Sequence, residues 1–283
     1  MKIFRTAAIV FALLTAQTAS AQSLGFTMPG AADPGYVKSK WVKGPDQGVL
    51  NRYAQTKITH ITFHHEGFAN SDPIAFAKYA PGRLRQSTVQ RARNIHNFHV
   101  DSGLGMIAYN FVVGVKGDIA QGRPLSFAPA TFTKDPATGK TADFTGHFAV
   151  VLLGDFGVEE LSPQMRLGLV KVMSEGQRFF RVPTANIEPH KDHVSHNGRF
   201  GTQCPGMHVY DQKGLIANMT LAVSLQTELA QRGCYASGID GEFGDGSQAA
   251  LQKLAQQNPD LGKLAANDET LWAMLDAPKA VCK

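Results

Sequence analysis

Two polar clusters far apart in the chain carry the residue types that hold a transition metal. The first closes the segment Ile58-Thr59-His60-Ile61-Thr62-Phe63-His64-His65-Glu66. The second is Pro189-His190-Lys191-Asp192-His193, followed by Thr202-Gln203-Cys204-Pro205-Gly206. Imidazole and thiolate both suit zinc, which favours four tetrahedral ligands. Two histidines and a cysteine leave one place for a water, which the ion acidifies while it polarises a carbonyl. An amide carbonyl is the natural target. His64 ends a strand, a rigid platform, and His190 and Cys204 flank a loop able to return both to one face. Spacing alone ranks neither His64 over His65 nor His190 over His193. Six of the 10 histidines fall in these two regions, at His60, His64, His65, His190, His193 and His196. That clustering also fits a structural metal site or plain surface polarity. The short zinc motif H-E-x-x-H is absent.

Helpers are fewer. Tyr109 sits in an apolar run, where a tyrosine normally packs; facing a metal, its hydroxyl would steady an oxyanion. Thr202, two residues before Cys204, would orient water or donate to developing charge. Glu66, Asp155 and Asp192 are the nearby carboxylates, and none has the spacing that marks a general base. There is no G-x-S-x-G elbow, P-loop or dinucleotide fingerprint. A cysteine-nucleophile scheme would pair Cys204 with His190 and leave His64 without a role.

The elements that must position these groups follow from periodicity. Ile58 to Phe63 alternates as a buried strand. Asp72-Pro73 opens a short helix, and Ser87 to His99 has a cap and helical spacing. Met106 to Val115 reads as a strand with Tyr109 in it, returning through Lys116-Gly117-Asp118 to Ile119-Ala120-Gln121 as a hairpin. Phe148 to Leu153 is a continuous apolar run, a central strand. Ser162-Pro163 opens a helix to Phe180, and Asn186 to His190 is a short strand. The order predicts an α/β fold: a mixed central sheet flanked by helices. From about Thr220 the pattern becomes small and helical, with Leu221, Leu225 and Leu229 four apart, a glycine-rich turn at 233–244, and helices from Ser247 and Thr270. The division expected is 22–50 as a lead-in with Trp41 anchoring it, 51–215 as the catalytic unit, and 216–283 as a three-helix unit.

Lys2 and Arg5, an apolar stretch from Thr6 to Thr15, and Ala19-Ser20-Ala21 form a secretory signal peptide over 1–21, cut before Gln22. An exported protein, periplasmic or secreted, is expected. The apolar stretch is too short for a comfortable membrane span. A formal charge of +5 fits an acidic polymer, a cell-wall surface or nucleic acid about equally, and there is no dense Lys/Arg run of the kind a nucleic-acid tract shows. Three cysteines in an oxidising compartment leave one over. The simplest partition is a Cys234–Cys282 disulfide, with Cys204 kept for metal.

Taken in order, the strand ending in two histidines, Gly105-Met106-Ile107-Ala108-Tyr109-Asn110-Phe111-Val112-Val113, Gly117-Asp118, Gly122-Arg123, Pro189-His190-Lys191-Asp192 and Thr202-Gln203-Cys204-Pro205-Gly206 resemble the type 2 N-acetylmuramoyl-L-alanine amidases. That family shares its fold with the peptidoglycan recognition proteins. The resemblance spans roughly 57–207. It implies that His64, His190 and Cys204 bind Zn2+, that Tyr109 and Thr202 are catalytic, and that the bond cut joins N-acetylmuramic acid to the L-alanine of the stem peptide in peptidoglycan. Pro189 and Lys191 replace the usual glycine and arginine, and the stretch from His190 to Cys204 is longer than usual. No glutamate stands in Ala149-Val150-Val151-Leu152, which points to the branch that relies on tyrosine. Leu225-Gln226, Leu229, Gly233, Tyr235, Gly238, Ile239-Asp240-Gly241, Phe243-Gly244 and Ala249-Ala250-Leu251 resemble a peptidoglycan-binding domain. The alternatives this leaves are a wall-recognition protein without activity, which usually lacks the cysteine, and an amidase acting on small soluble muropeptides.

Overall fold

The computed structural model describes residues 24–131, 144–195 and 202–283. The expected signal peptide at 1–21 lies outside them. Among the described residues the helices are α1 (Gln47–Leu50), α2 (Pro73–Leu84), α3 (Thr88–Asp101), α4 (Pro163–Phe180), α5 (His190–Ser195), α6 (Met207–Tyr210), α7 (Lys213–Gln231), α8 (Asp245–Gln257) and α9 (Asp268–Asp276). The strands are β1 (His60–His65), β2 (Phe111–Val113), β3 (Ile119–Gln121), β4 (His147–Leu152) and β5 (Ile187–Pro189). They form one mixed sheet in the order β3-β2-β4-β1-β5, with only the β2–β3 hairpin antiparallel.

Both faces of the sheet are covered, as parallel strands require. Ile61 and Phe63 of β1, with Val150 and Leu152 of β4, pack under α4, whose Leu169, Val172 and Met173 are fully buried. Each such side chain contributes about 1.5–3 kcal/mol of burial. The opposite face carries Val151 beneath Ala92 and Ile95 of α3. Alternation therefore assigns Thr62 and His64, the latter in register with Val151, to the α3 side. The helices start where their caps dictate. The Ser87 hydroxyl accepts from the Gln90 amide and that of Ser162 from the Met165 amide.

Two boundaries differ from the sequence reading. β1 runs to His65, so both histidines belong to the strand rather than following it. The strand expected from 106 shrinks to Phe111–Val113, and Tyr109 precedes it. Asn110 accounts for this: its backbone amide donates to the Ala149 carbonyl, and its side-chain oxygen accepts from the Ala149 amide, at 2.9 and 2.8 Å. A side chain thus takes a ladder position, and the backbone before it is free to turn.

The C-terminal helices build their own apolar cluster around Leu225, Leu229, Leu251, Leu254 and Leu271. They are not a cleanly separable unit. α7 runs unbroken through the expected boundary at 215, packing Ile216 and Val223 on the sheet-bearing core and Leu225 and Leu229 in the tail. Asp268 accepts from the Thr184 amide and hydroxyl at 2.9 and 2.7 Å, and Ser224 donates to Gln177 at 2.6 Å. The Cys234–Cys282 disulfide is present and closes the tail. No helix of the described residues is long and apolar enough to cross a membrane.

Candidate metal centre

β1 and β5 are parallel neighbours, and both end at the same edge of the sheet. β1 delivers His64 there, and β5 passes directly into α5, whose first residue is His190. This is the edge where open α/β sheets gather ligands. The Cys204 segment arrives from the side. The Lys191 amide donates to the Cys204 carbonyl at 3.1 Å, tying the two halves of the downstream cluster together. Gly206, at φ 85°, fixes the approach, since a Cβ there would lie 2.3 Å from the carbonyl carbon of Phe156.

The ligand atoms of His64, His190 and Cys204 lie within 4.8 Å of one another. The Cys204 sulfur is 3.6 Å from His64 Nδ1, and the two imidazole centroids are 4.7 Å apart. The alternatives that spacing left open separate here. His65 Nδ1 accepts from the Phe156 amide at 3.2 Å, and His193 Nδ1 pairs with Glu188 at 2.8 Å. Neither joins the cluster.

The donor set fits zinc in type and in support. His64 turns Nδ1 to the cluster while its Nε2 meets the Thr62 hydroxyl at 3.2 Å. His190 bonds to the Thr131 backbone, and Cys204 to the backbone of His65. Ligand imidazoles held from behind in this way are what metal sites require. Burial holds His64 well below its ordinary value and His190 at about 4, so both are neutral and able to ligate. Thr62 and Thr131 were not singled out from sequence. The alternation that puts Thr62 on the His64 face was the available signal; nothing local marked Thr131.

A cavity of about 360 Å³ opens on the cluster, lined by Tyr109, Thr202 and Cys204 among others. The Tyr109 ring lies 5.2 Å from that of His64. Burial, with the Cys204 charge behind it, raises the phenol above its ordinary value. The Thr202 hydroxyl accepts from the Cys204 amide at 3.1 Å. The three carboxylates near the site in sequence are all engaged. Asp155 is fully buried and accepts from the amides of Ala69, Ser71 and Gly157. It thereby holds Asn70 and Ser71 in left-handed backbone, at φ 50° and 60°, along the cavity wall. Glu66 is clamped by Arg83 and Arg91. Asp192 pairs with Tyr210 and Lys213 and lines a different pocket. Behind Tyr109, the buried Arg123 guanidinium donates to the carbonyls of Leu104, Met106, Ile107 and Ala128, and so fixes the turn that carries the phenol.

So many neutral histidines make the fold acid-sensitive. His64, His65, His99, His147 and His190 are all pushed down, chiefly by burial, with His65, His99 and His190 near 4. An unfolded histidine titrates near pH 6.5. Above that pH both states are neutral and stability is flat. Below it the unfolded chain takes up protons that the folded chain refuses, so stability falls as pH drops towards about 4, each histidine adding about 1.4 kcal/mol per pH unit. Urea unfolding of metal-free protein at pH 7, 6 and 5 should show a slope exceeding that of one histidine. A shallower slope would mean that these rings are not held neutral.

No protein-family model and no curated sequence matches the chain. Among solved structures it is similar to the endolysin N-acetylmuramoyl-L-alanine amidase LysCS from Clostridium intestinale, at 18% identity over 68% of this chain and 97% of that one, with a TM-score of 0.42. Bumblebee PGRP-SA is similar at 18% identity over 65% and 93%, with a TM-score of 0.44. Drosophila PGRP-LB is similar at 20% identity over 56% and 81%, with a TM-score of 0.39.

Proposed function

We propose that this protein is an exported zinc hydrolase that cuts the amide between N-acetylmuramic acid and L-alanine in peptidoglycan. The observation that carries the reading is the meeting of His64, His190 and Cys204, three donors of the right kind from separate parts of the chain, two of which, His190 and Cys204, line a cavity. Cys204 is free of the disulfide, which leaves its sulfur available. The order of motifs around these residues supports the choice of bond, and the amino-terminal segment supports export.

The protein's own groups divide the work. His64, His190 and Cys204 would hold the ion, which supplies Lewis acidity when bound, acidifying water and polarising the amide carbonyl. Tyr109 keeps its proton and donates to the oxygen on which negative charge grows. Thr202, its oxygen already accepting from the Cys204 amide, has its own proton to orient water or substrate. The engaged carboxylates leave proton transfer to water and these hydroxyls.

The test combines metal analysis of the mature protein with mass spectrometry of digested peptidoglycan. Stem peptides with a free L-alanine amino terminus should appear, vanish on chelation and return with zinc. Zinc-loaded protein that binds the wall but releases no peptide would establish the recognition reading instead.

A further inference from the structure

The lead-in was expected to anchor itself through Trp41, and it does the opposite. Trp41 is 75% exposed. A large aromatic ring left in water costs hydrophobic free energy unless something covers it. The loop that carries it is nevertheless well tied. The Ser39 amide donates to the Val42 carbonyl at 2.8 Å, and the Ser39 hydroxyl accepts from the Val42 amide at 3.1 Å. Asn97 of α3 clamps the loop from below, donating to the Trp41 carbonyl at 2.8 Å and accepting from the Lys43 amide at 2.9 Å. The ring is thus presented on a fixed turn.

The surroundings specify what it would meet. A cavity of about 510 Å³ beside the ring is lined by Lys38, Ser39, Lys40, Trp41, Lys43 and Asn97. Lys43 pairs with Asp101, while Lys38 and Lys40 have no carboxylate partner among the described residues. The Lys40 ammonium sits 4.9 Å from the indole centroid. An indole face flanked by ammonium groups and an amide suits a glycan strand that carries peptides: the C–H face of a sugar packs on the indole, and the carboxylates of the attached peptide meet the lysines. The concavity favours a chain of rings over a flat lipid surface.

Position links this loop to the cleft beside Tyr109. Asn97 faces this loop, and the next residues of α3, Phe98 and His99, line a cleft of about 440 Å³ that reaches Tyr109. The two cavities thus lie along the same helix, one lined by Asn94, Phe98 and His99 and the other by Asn97 and the Trp41 loop. We infer that the loop at 37–45 is a second binding site, which holds a glycan strand, and the carboxylates of its stem peptides, beyond the cleft. This rests on the peptidoglycan reading, and it adds a contact that keeps a long substrate over the metal centre.

The test uses the full mature chain carrying Cys204→Ser, so that the polymer is not cut, in co-sedimentation with protein-free peptidoglycan sacculi. Adding Trp41→Ala should weaken binding about tenfold, the scale of a lost aromatic anchor. Lys38→Ala with Lys40→Ala should weaken it too and flatten its dependence on salt. The urea midpoint should stay put, since these side chains are exposed. Undiminished sacculus binding by the Trp41→Ala protein would overturn the inference. So would a Trp41-dependent attachment to phosphatidylglycerol vesicles that sacculi do not reproduce. The two readings fail separately. Protein with native Cys204 that cuts no amide, alongside Trp41-dependent sacculus binding, removes the activity and leaves the site. Normal cutting of soluble fragments with Trp41-indifferent binding removes the site alone.

Discussion

Cys204→Ser is expected to give a folded protein that neither retains zinc nor releases stem peptide. The substitution removes one sulfur and leaves a hydroxyl, a hard and weakly acidic donor that zinc takes poorly. Changes to the groups behind metal ligands already cost 10–100-fold in affinity or activity, so loss of a ligand itself should exceed about 100-fold in both. Burial pushes the Cys204 thiol up to about 12, against the opposing pull of a His65 backbone hydrogen bond. The metal-free thiol is therefore protonated at neutral pH, and zinc must displace that proton. His64 and His190 are neutral already and release none. Zinc affinity of the native protein should then rise about tenfold per pH unit through neutrality, and the Cys204→Ser protein should lose that slope. Competition with a chelating dye across pH 6–8 measures both. Unchanged zinc content and activity would eliminate Cys204 as a ligand, and with it the three-donor site.

How far the sequence speaks depends on the range of the interaction. The strand bearing His64, the capped helix after Ser162, the hairpin around Gly117 and the odd cysteine were legible because period, caps and count are local signals. The choice of His64 over His65 was not legible from spacing and came only with the resemblance, because it turns on which side of the sheet each ring takes and what meets it there. Only the packed sheet shows His65 bonded to the Phe156 amide and His193 bonded to Glu188. Tyr109 was misplaced by two residues for a related reason. Asn110 looks like any polar residue in an apolar run, yet its amide pairs with Ala149, thirty-nine positions away, and the strand begins only after it. The fates of Glu66, Asp155 and Asp192 were equally invisible, since their partners are set by tertiary contact. Trp41 shows the converse: a large aromatic residue reads as an anchor by default, and exposure on a tied loop contradicts the default.

Those engaged carboxylates give the second prediction its weight. With Asp155 committed to backbone amides and Glu66 to two guanidinium groups, Tyr109 is left as a titratable side chain on the cavity wall that is neither a metal ligand nor spent on structure. Its backbone is held on both sides, by the Arg123 amide donating to its carbonyl at 2.7 Å and by Asn110 locking the next residue to β4. A rigidly placed donor of this kind is worth more than a mobile one, because no reorganisation is needed as charge develops. The raised phenol pKa means that the proton is present throughout the working range and that the group acts as donor, not base. Tyr109→Phe removes that proton and keeps the ring that packs beside His64. Zinc content and urea midpoint should match the native protein, KM should change little, and kcat should fall by about 10²–10³, or roughly 2.7–4 kcal/mol. The division between kcat and KM is the discriminating readout. A donor that acts only on the developing oxyanion lowers kcat, whereas a hydroxyl that merely holds the ground-state substrate raises KM. A Tyr109→Phe enzyme of native rate would return the residue to packing and leave Thr202 and the three ligands to account for the chemistry.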